Sequence, residues 1–246
     1  MLKFLRDPLP ATPSRPIIMG NEAPHHLGHR DRLRQRFTEG GDTALADYEL
    51  LEMLLFTAIP RKDVKPIAKD LISTFGSLHK MFMAKPNELC TVKGISENTA
   101  IFLKTVHALH IRAMKQELMN RPALTNWDRL VEYCHAAMAE DDIERFRVLY
   151  LNRKNHLIED EIHASGTIDG ANVYTREILK KAMNIGATAL ILVHNHPSGD
   201  PTPSQPDIDI TNHIYNAAKP LNIELHDHLI ISRTGHTSLK SMGLII

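Results

Sequence analysis

The chain has 246 residues, 43% of them hydrophobic, with 29 basic and 29 acidic side chains. Those numbers describe an ordinary globular protein with room for one large or two modest domains. They exclude a membrane-spanning helix, since no stretch approaches the roughly 18 consecutive apolar residues one needs, and two cysteines without a C-x-x-C pattern exclude a disulfide framework or cysteine zinc site. Cys90 and Cys134 read as buried apolar fillers. The charge is unevenly placed: residues 1–121 hold 18 basic and 13 acidic groups, residues 122–246 hold 11 and 16. Such asymmetry fits two domains with different partners, one of them a polyanion.

Pro8, Pro10, Pro13, Pro16 and Pro24 break any regular element, so residues 1–28 read as disordered. The same prolines and Asp7 leave no continuous apolar core for a secretory signal, and a cytoplasmic protein is expected. Arg30, Arg32, Arg34 and Arg36 then fall within seven residues. They can grip phosphates, or form the solvated face of a helix that turns Leu33 and Phe37 inward. From 48 to about 119 the pattern is helical. Leu50, Leu51, Leu54 and Leu55 recur at helical spacing. Asp63 can start a second helix, and Leu78, Met81 and Phe82 mark a third. Residues 89–101 fit two short helices joined by a Gly-containing turn, and resemble a helix-hairpin-helix, a module that offers backbone amides to DNA phosphate. Lys93 and Gly94 would be the contact residues. The usual Gly-hydrophobic-Gly hairpin reads Gly94-Ile95-Ser96 here, which sets a side chain where backbone should approach phosphate. The alternative is a helical packing module whose turn binds nothing.

Pro122 disfavours further helix and places a boundary between a helical domain, 29–121, and a second domain, 122–246. After a helix holding Leu130, Val131 and Cys134, residues 144–151 and 157–164 read as a strand hairpin, 174–184 as a helix, and Gly186 as its stop. Residues 189–193 form a short branched apolar run, a buried strand. A helix over 206–217 and strands over 223–231 and 237–240 follow. Strands alternating with helices predict a three-layer α-β-α domain with a mixed sheet, in the α/β class.

His194 and His196 end the 189–193 strand and project to one face, because strand residues two apart do. Pro197 and Gly199 end the strand, and the loop closes on Ser204-x-x-Asp207 before a helix. That last spacing is also close to a capping box. Two imidazoles and a carboxylate suit zinc, and three protein ligands leave a fourth position open, as catalytic zinc sites do.

The pattern HxHP, six residues, then SxxD resembles the signature of the JAMM (MPN-type) zinc metalloproteases, with His194, His196, Pro197, Ser204 and Asp207 all present. The longer HNHPSGDPTPS, with Asp227-His228, resembles one branch of them, the RadC-like proteins. The resemblance implies zinc on His194, His196 and Asp207, and Ser204 as a stabiliser of the tetrahedral intermediate. It also implies a glutamate base at the start of an upstream strand. Glu144 fits that place best, with Glu161 and Glu177 as the other candidates. Asp227 or His228 would support a ligand imidazole through a hydrogen bond, unless His226-Asp227-His228 forms a second metal site. The expected function is a peptidase- or isopeptidase-type zinc hydrolase. The rival is a DNA repair or recombination accessory that binds DNA through Arg30, Arg32, Arg34, Lys93 and Gly94. A zinc base deaminase would need H-x-E and P-C-x-x-C, and neither occurs.

Overall fold

The computed structural model describes residues 28–166 and 173–245. The segment expected to be disordered therefore lies outside the described residues, save Gly28. Two compact units emerge, Met1–Lys65 and Pro66–Ile246. In the first, α1 (His29–Gly40) and α2 (Asp47–Ala58) bury Leu33, Leu51 and Leu55. The arginine run lies on α1, where Leu33 is buried while Phe37 stays 41% exposed. Asp63 accepts from the amide of Lys65 at 3.0 Å, at the start of α3 (Lys65–Phe75).

The second unit continues through α4 (Leu78–Met83), α5 (Pro86–Leu89) and the 24-residue α6 (Glu97–Asn120). Ser96 caps α6 by accepting from the amide of Thr99 at 3.3 Å. Then come α7 (Trp127–Met138), β1 (Arg145–Leu151), β2 (Leu157–Ser165), α8 (Thr175–Ile185), β3 (Ala189–Asn195), α9 (Gln205–Ala218), β4 (Glu224–Ser232) and β5 (Gly235–Ser238). The five strands form one sheet in the order β2-β1-β3-β4-β5, with β3 and β4 parallel and the other neighbours antiparallel.

The sheet has an apolar core on each face. Odd positions of β3 (Ala189, Ile191, Val193) pack with Leu130, Tyr133, Cys134 and Met138 of α7 and Leu118 of α6. Even positions (Leu190, Leu192) pack with Ile178, Leu179 and Ala182 of α8 and Ile210 and Ile214 of α9. A strand buried on both faces can afford no polar alternation, which is why β3 reads as a continuous apolar run. The result is the expected α-β-α layering.

The compact units divide the chain at residue 65, and α6, which precedes residue 122, packs on the sheet domain. Leu118 is buried in the sheet domain's core, with Ile111 and Met114 packed against it. Lys115 lies 3.7 Å from Asp160 of β2. Asp160 is also held by Arg147 of β1 at 2.7 Å and by the Tyr133 hydroxyl of α7. The four side chains fasten α6 and α7 to the hairpin β1–β2, pairing a carboxylate that would be costly to leave alone inside. Cys134 is buried, its thiol pushed up to about 12 by burial. Cys90 departs from expectation: it is exposed, at the turn after α5, and fills no core.

Candidate metal centre

β3 brings His194 to its end with its side chain on the α8–α9 face, and His196 follows two residues on. The ring of His194 stacks on Phe146 of β1, centroids 6.3 Å apart. On the same side α9 begins, and its third residue is Asp207. His194 Nε2 is 3.1 Å from Asp207 Oδ1, His196 Nε2 is 3.4 Å from Asp207 Oδ2, and the two Nε2 atoms are 2.9 Å apart. In a tetrahedral zinc site with bonds of ~2.0–2.1 Å, donors stand ~3.3 Å from one another, so this triangle is close to metal size. Among the described residues these three form the one His/Cys/Asp/Glu cluster of that size.

Hydrogen bonds behind the cluster decide where its protons sit. Thr211, one turn along α9 from Asp207, donates its hydroxyl proton to the Asp207 carbonyl. It therefore accepts from Nδ1–H of His228, leaving His228 Nε2 with a lone pair. Burial holds His228 well below the ordinary histidine pKa, so it is neutral. Its Nε2 then accepts from Nδ1–H of His194 at 2.8 Å, and His194 Nε2 is left bare. His196 Nδ1 donates to the carbonyl of Asp200 at 2.7 Å, which frees its Nε2 likewise. Burial is the largest influence on Asp207 and would raise its pKa, but the two imidazoles facing it and the Ser204 hydroxyl outweigh burial and hold the carboxyl below its usual range. The same carboxylate is the largest influence raising His196, against burial. Two bare imidazole nitrogens and a carboxylate converge on one point, and that donor set fits a divalent zinc ion.

Ser204 acts as the N-cap of α9 and does so through the same carboxylate. Its amide and hydroxyl donate to Asp207 Oδ2 at 2.7 and 2.6 Å, and its hydroxyl accepts from the Asp207 amide at 3.3 Å. Capping and placement at the centre are thus one arrangement, with Oδ1 left facing His194.

Glu144 precedes β1. The antiparallel register sets Phe146 against His194, so two residues back Glu144 falls opposite His196, and its charge contributes to raising the His196 pKa. Asn195 holds this segment. Fully buried, it accepts from the Arg145 amide at 2.8 Å and donates to the carbonyls of Asp141 (3.3 Å) and Ile143 (3.1 Å). Glu161 pairs with Lys181 at 3.1 Å and Glu177 with Lys180 at 3.5 Å.

Asp227 and His228 part company. A bulge in β4 pairs Leu190 with Leu225 but Ile191 with Asp227, so His226 is the extra residue. Past it, His228 shares the face of Leu192 and reaches His194, while Asp227 lies on the other face. There Asp227 accepts from Ser238 Oγ and from the Lys240 amide at 3.0 Å, fixing the chain after β5. His226 hydrogen-bonds Asn155 at 2.7 Å and lies 3.2 Å from Glu224, so it joins neither neighbour at the centre.

The residues named for nucleic acid are dispersed. Arg30 donates to the carbonyls of Phe56 (3.3 Å), Ile59 (2.9 Å) and Lys62 (3.0 Å), closing the C-terminal end of α2. Arg34 pairs with Asp31 at 2.9 Å, and Arg36 with Glu49 at 2.8 Å. Arg32 is exposed. Lys93 is exposed at the turn, and Gly94 takes φ +100° against Ile67, whose Cδ1 would lie 2.7 Å from an added Cβ.

Sequence reasoning missed Thr211 and Asn195. Thr211 had a signal: it lies four residues after Asp207 and so on the same helix face. Asn195 had little, since its partners are backbone groups fifty residues away in sequence.

A His-x-His strand end and a helix-borne aspartate on a mixed, two-sided sheet define a JAB-type α/β domain. The RadC-like JAB domain model matches residues 124–244, and the UPF0758 N-terminal model matches residues 25–101. The chain belongs to the RadC-like family. No helix of the described residues is long and apolar enough to cross a membrane.

Proposed function

We propose that the chain is a zinc-dependent hydrolase of peptide or isopeptide bonds. One arrangement carries this reading: His194 and His196, each with Nδ1 engaged in a hydrogen bond and Nε2 turned inward, meet the Asp207 carboxylate at metal distance, with Glu144 facing His196 in the strand register. His194, His196 and Asp207 would hold the ion. Zinc in such a place supplies Lewis acidity to a carbonyl oxygen and brings the pKa of water near 7.

The chain's residues account for the rest. Glu144 takes the proton of the attacking water and returns it to the leaving amine, the role of a carboxylate beside but outside the ligand set. Asn195 keeps Glu144 in place by pinning the backbone on both sides of it. Ser204, whose hydroxyl donates to Asp207 Oδ2 here, would turn that proton to the developing oxyanion once a metal draws on the carboxylate. His228 and Thr211 hold His194 in the ligating tautomer and orientation.

Glu144→Gln tests the assignment. It keeps size and removes the base, so zinc content and melting temperature should match the parent while cleavage of a peptide or isopeptide library falls ~10²–10⁴-fold. Cleavage at the parental rate would refute the base. A zinc-loaded parent that cleaves nothing, yet binds DNA with affinity that falls steeply with salt, would favour the DNA accessory instead.

A further inference from the structure

An open cleft of about 710 Å³ lies between the beginnings of α8 and α9. Both helices run antiparallel to β3 on the same sheet face, so both begin at the strand end that carries His194. Pro206, the residue before the ligand Asp207, is part of the cleft wall. Val173, Tyr174 and Ile210 add apolar surface to the wall. Tyr174 is 66% exposed, the most exposed of the large hydrophobic side chains among the described residues. An apolar ring left in water beside a reaction centre is an unmet contact rather than random surface. Arg176, Asp209 and His213 stand in the same lining, so basic and acidic groups both border the apolar surface. Thr175, 8% exposed, carries a buried hydroxyl without a partner in the same wall.

We infer that this cleft is a specificity subsite for one large apolar side chain, aromatic or aliphatic, of the peptide segment adjoining the scissile bond. The inference rests on the hydrolase reading for its occupant. Continuity decides that occupant: consecutive residues, Pro206 and Asp207, serve the cleft and the metal centre. A chain that leaves the centre over the first turn of α9 reaches the cleft within about one or two residues, given ~3.3 Å per extended residue.

The test uses the zinc-loaded full chain and fluorescent, end-blocked hexapeptides that differ at one position: Phe, Leu, Gly, Asp or Lys. Binding is read by anisotropy, and peptide integrity by mass spectrometry. Tyr174→Ala removes an exposed wall, and His213→Trp, at another exposed lining position, fills the space. Neither is a metal-centre residue, so zinc content and melting temperature should stay at parental values. Phe and Leu peptides should bind at least about tenfold more tightly than Gly, Asp or Lys peptides, and each variant should erase about that factor. Equal binding of all five peptides, or undiminished preference in both variants, overturns the subsite. If preference is present and cleft-dependent but no peptide is cleaved, the cleft is a binding site for an apolar peptide side chain and the hydrolase reading falls, taking the scissile-bond assignment with it. If peptides are cleaved with no dependence on either variant, the hydrolase reading stands and the subsite falls.

Discussion

His228 is not one of the three residues that could hold a metal, yet its hydrogen bond decides which nitrogen His194 presents to them. Neutral, buried and held by Thr211, it accepts the Nδ1 proton of His194 and leaves Nε2 bare. Two grades of damage should follow. His196→Ala removes a donor, and elemental analysis of the purified variant should find no stoichiometric zinc, against about one per chain in the parent. His228→Ala keeps all three donors but frees the His194 ring. Its zinc affinity in a chelator competition should fall ~10–100-fold, the usual cost of losing such a support. Parental affinity in the second variant would show that the hydrogen-bond chain does not tune the site.

Helices and turns carry the next set of consequences. The turn before α6 depends on Gly94 twice, through its φ of +100° and through the closeness of Ile67. Gly94→Ala should destabilise the fold by about 1–3 kcal/mol, from left-handed strain plus displacement of Ile67. Chemical denaturation with an unchanged m-value would check it, and a loss under ~0.5 kcal/mol would remove the turn's structural role. On α6 itself, His107 stacks on Phe82 at 6.0 Å. Burial first, then the Lys104 ammonium, lower its pKa to about 4. An unfolded histidine takes a proton below ~6.5, whereas the folded one stays neutral down to about 4. The unfolded state therefore binds more protons in that window, and stability is lost as pH falls from ~6.5 towards 4. His107→Phe should keep the stacking and shrink the drop in melting temperature between pH 7 and pH 5. An identical drop in parent and variant would exclude His107 as a source.

At the scale of the whole chain, the sheet domain borrows part of its cover from the helix that precedes it. A chain beginning at residue 66 keeps α6, whereas one beginning at 122 exposes the surface on which Leu118, Ile111 and Met114 pack. Reburying Leu118 alone is worth about 2 kcal/mol, or ~5–10 °C for a domain of this size. The 122–246 chain should melt lower than the 66–246 chain by at least that much, both loaded with zinc. Equal melting temperatures would make α6 dispensable and restore residue 122 as a folding boundary.

The sequence alone determined whatever depends on local periodicity. The apolar run of β3 forced a strand buried on both faces, and period two put His194 and His196 on one side. Ser204-x-x-Asp207 marked the start of α9, and the carboxylate that closes its cap also stands beside His194 and His196. Alternating strands and helices announced the layered α/β domain. Questions of register and long-range contact were different. Whether Asp227 or His228 reaches the centre turns on one bulged residue, His226, which reverses the facing of everything after it. Arg30, one of a run suited to phosphate, meets carbonyls in and just after the last turn of α2, partners up to thirty-two residues away. Asn195 finds its role only because β1 lies beside β3. A side chain's type and spacing fix what it is able to bind, while the groups that compete for it are set by which distant backbone the tertiary fold brings within 3 Å.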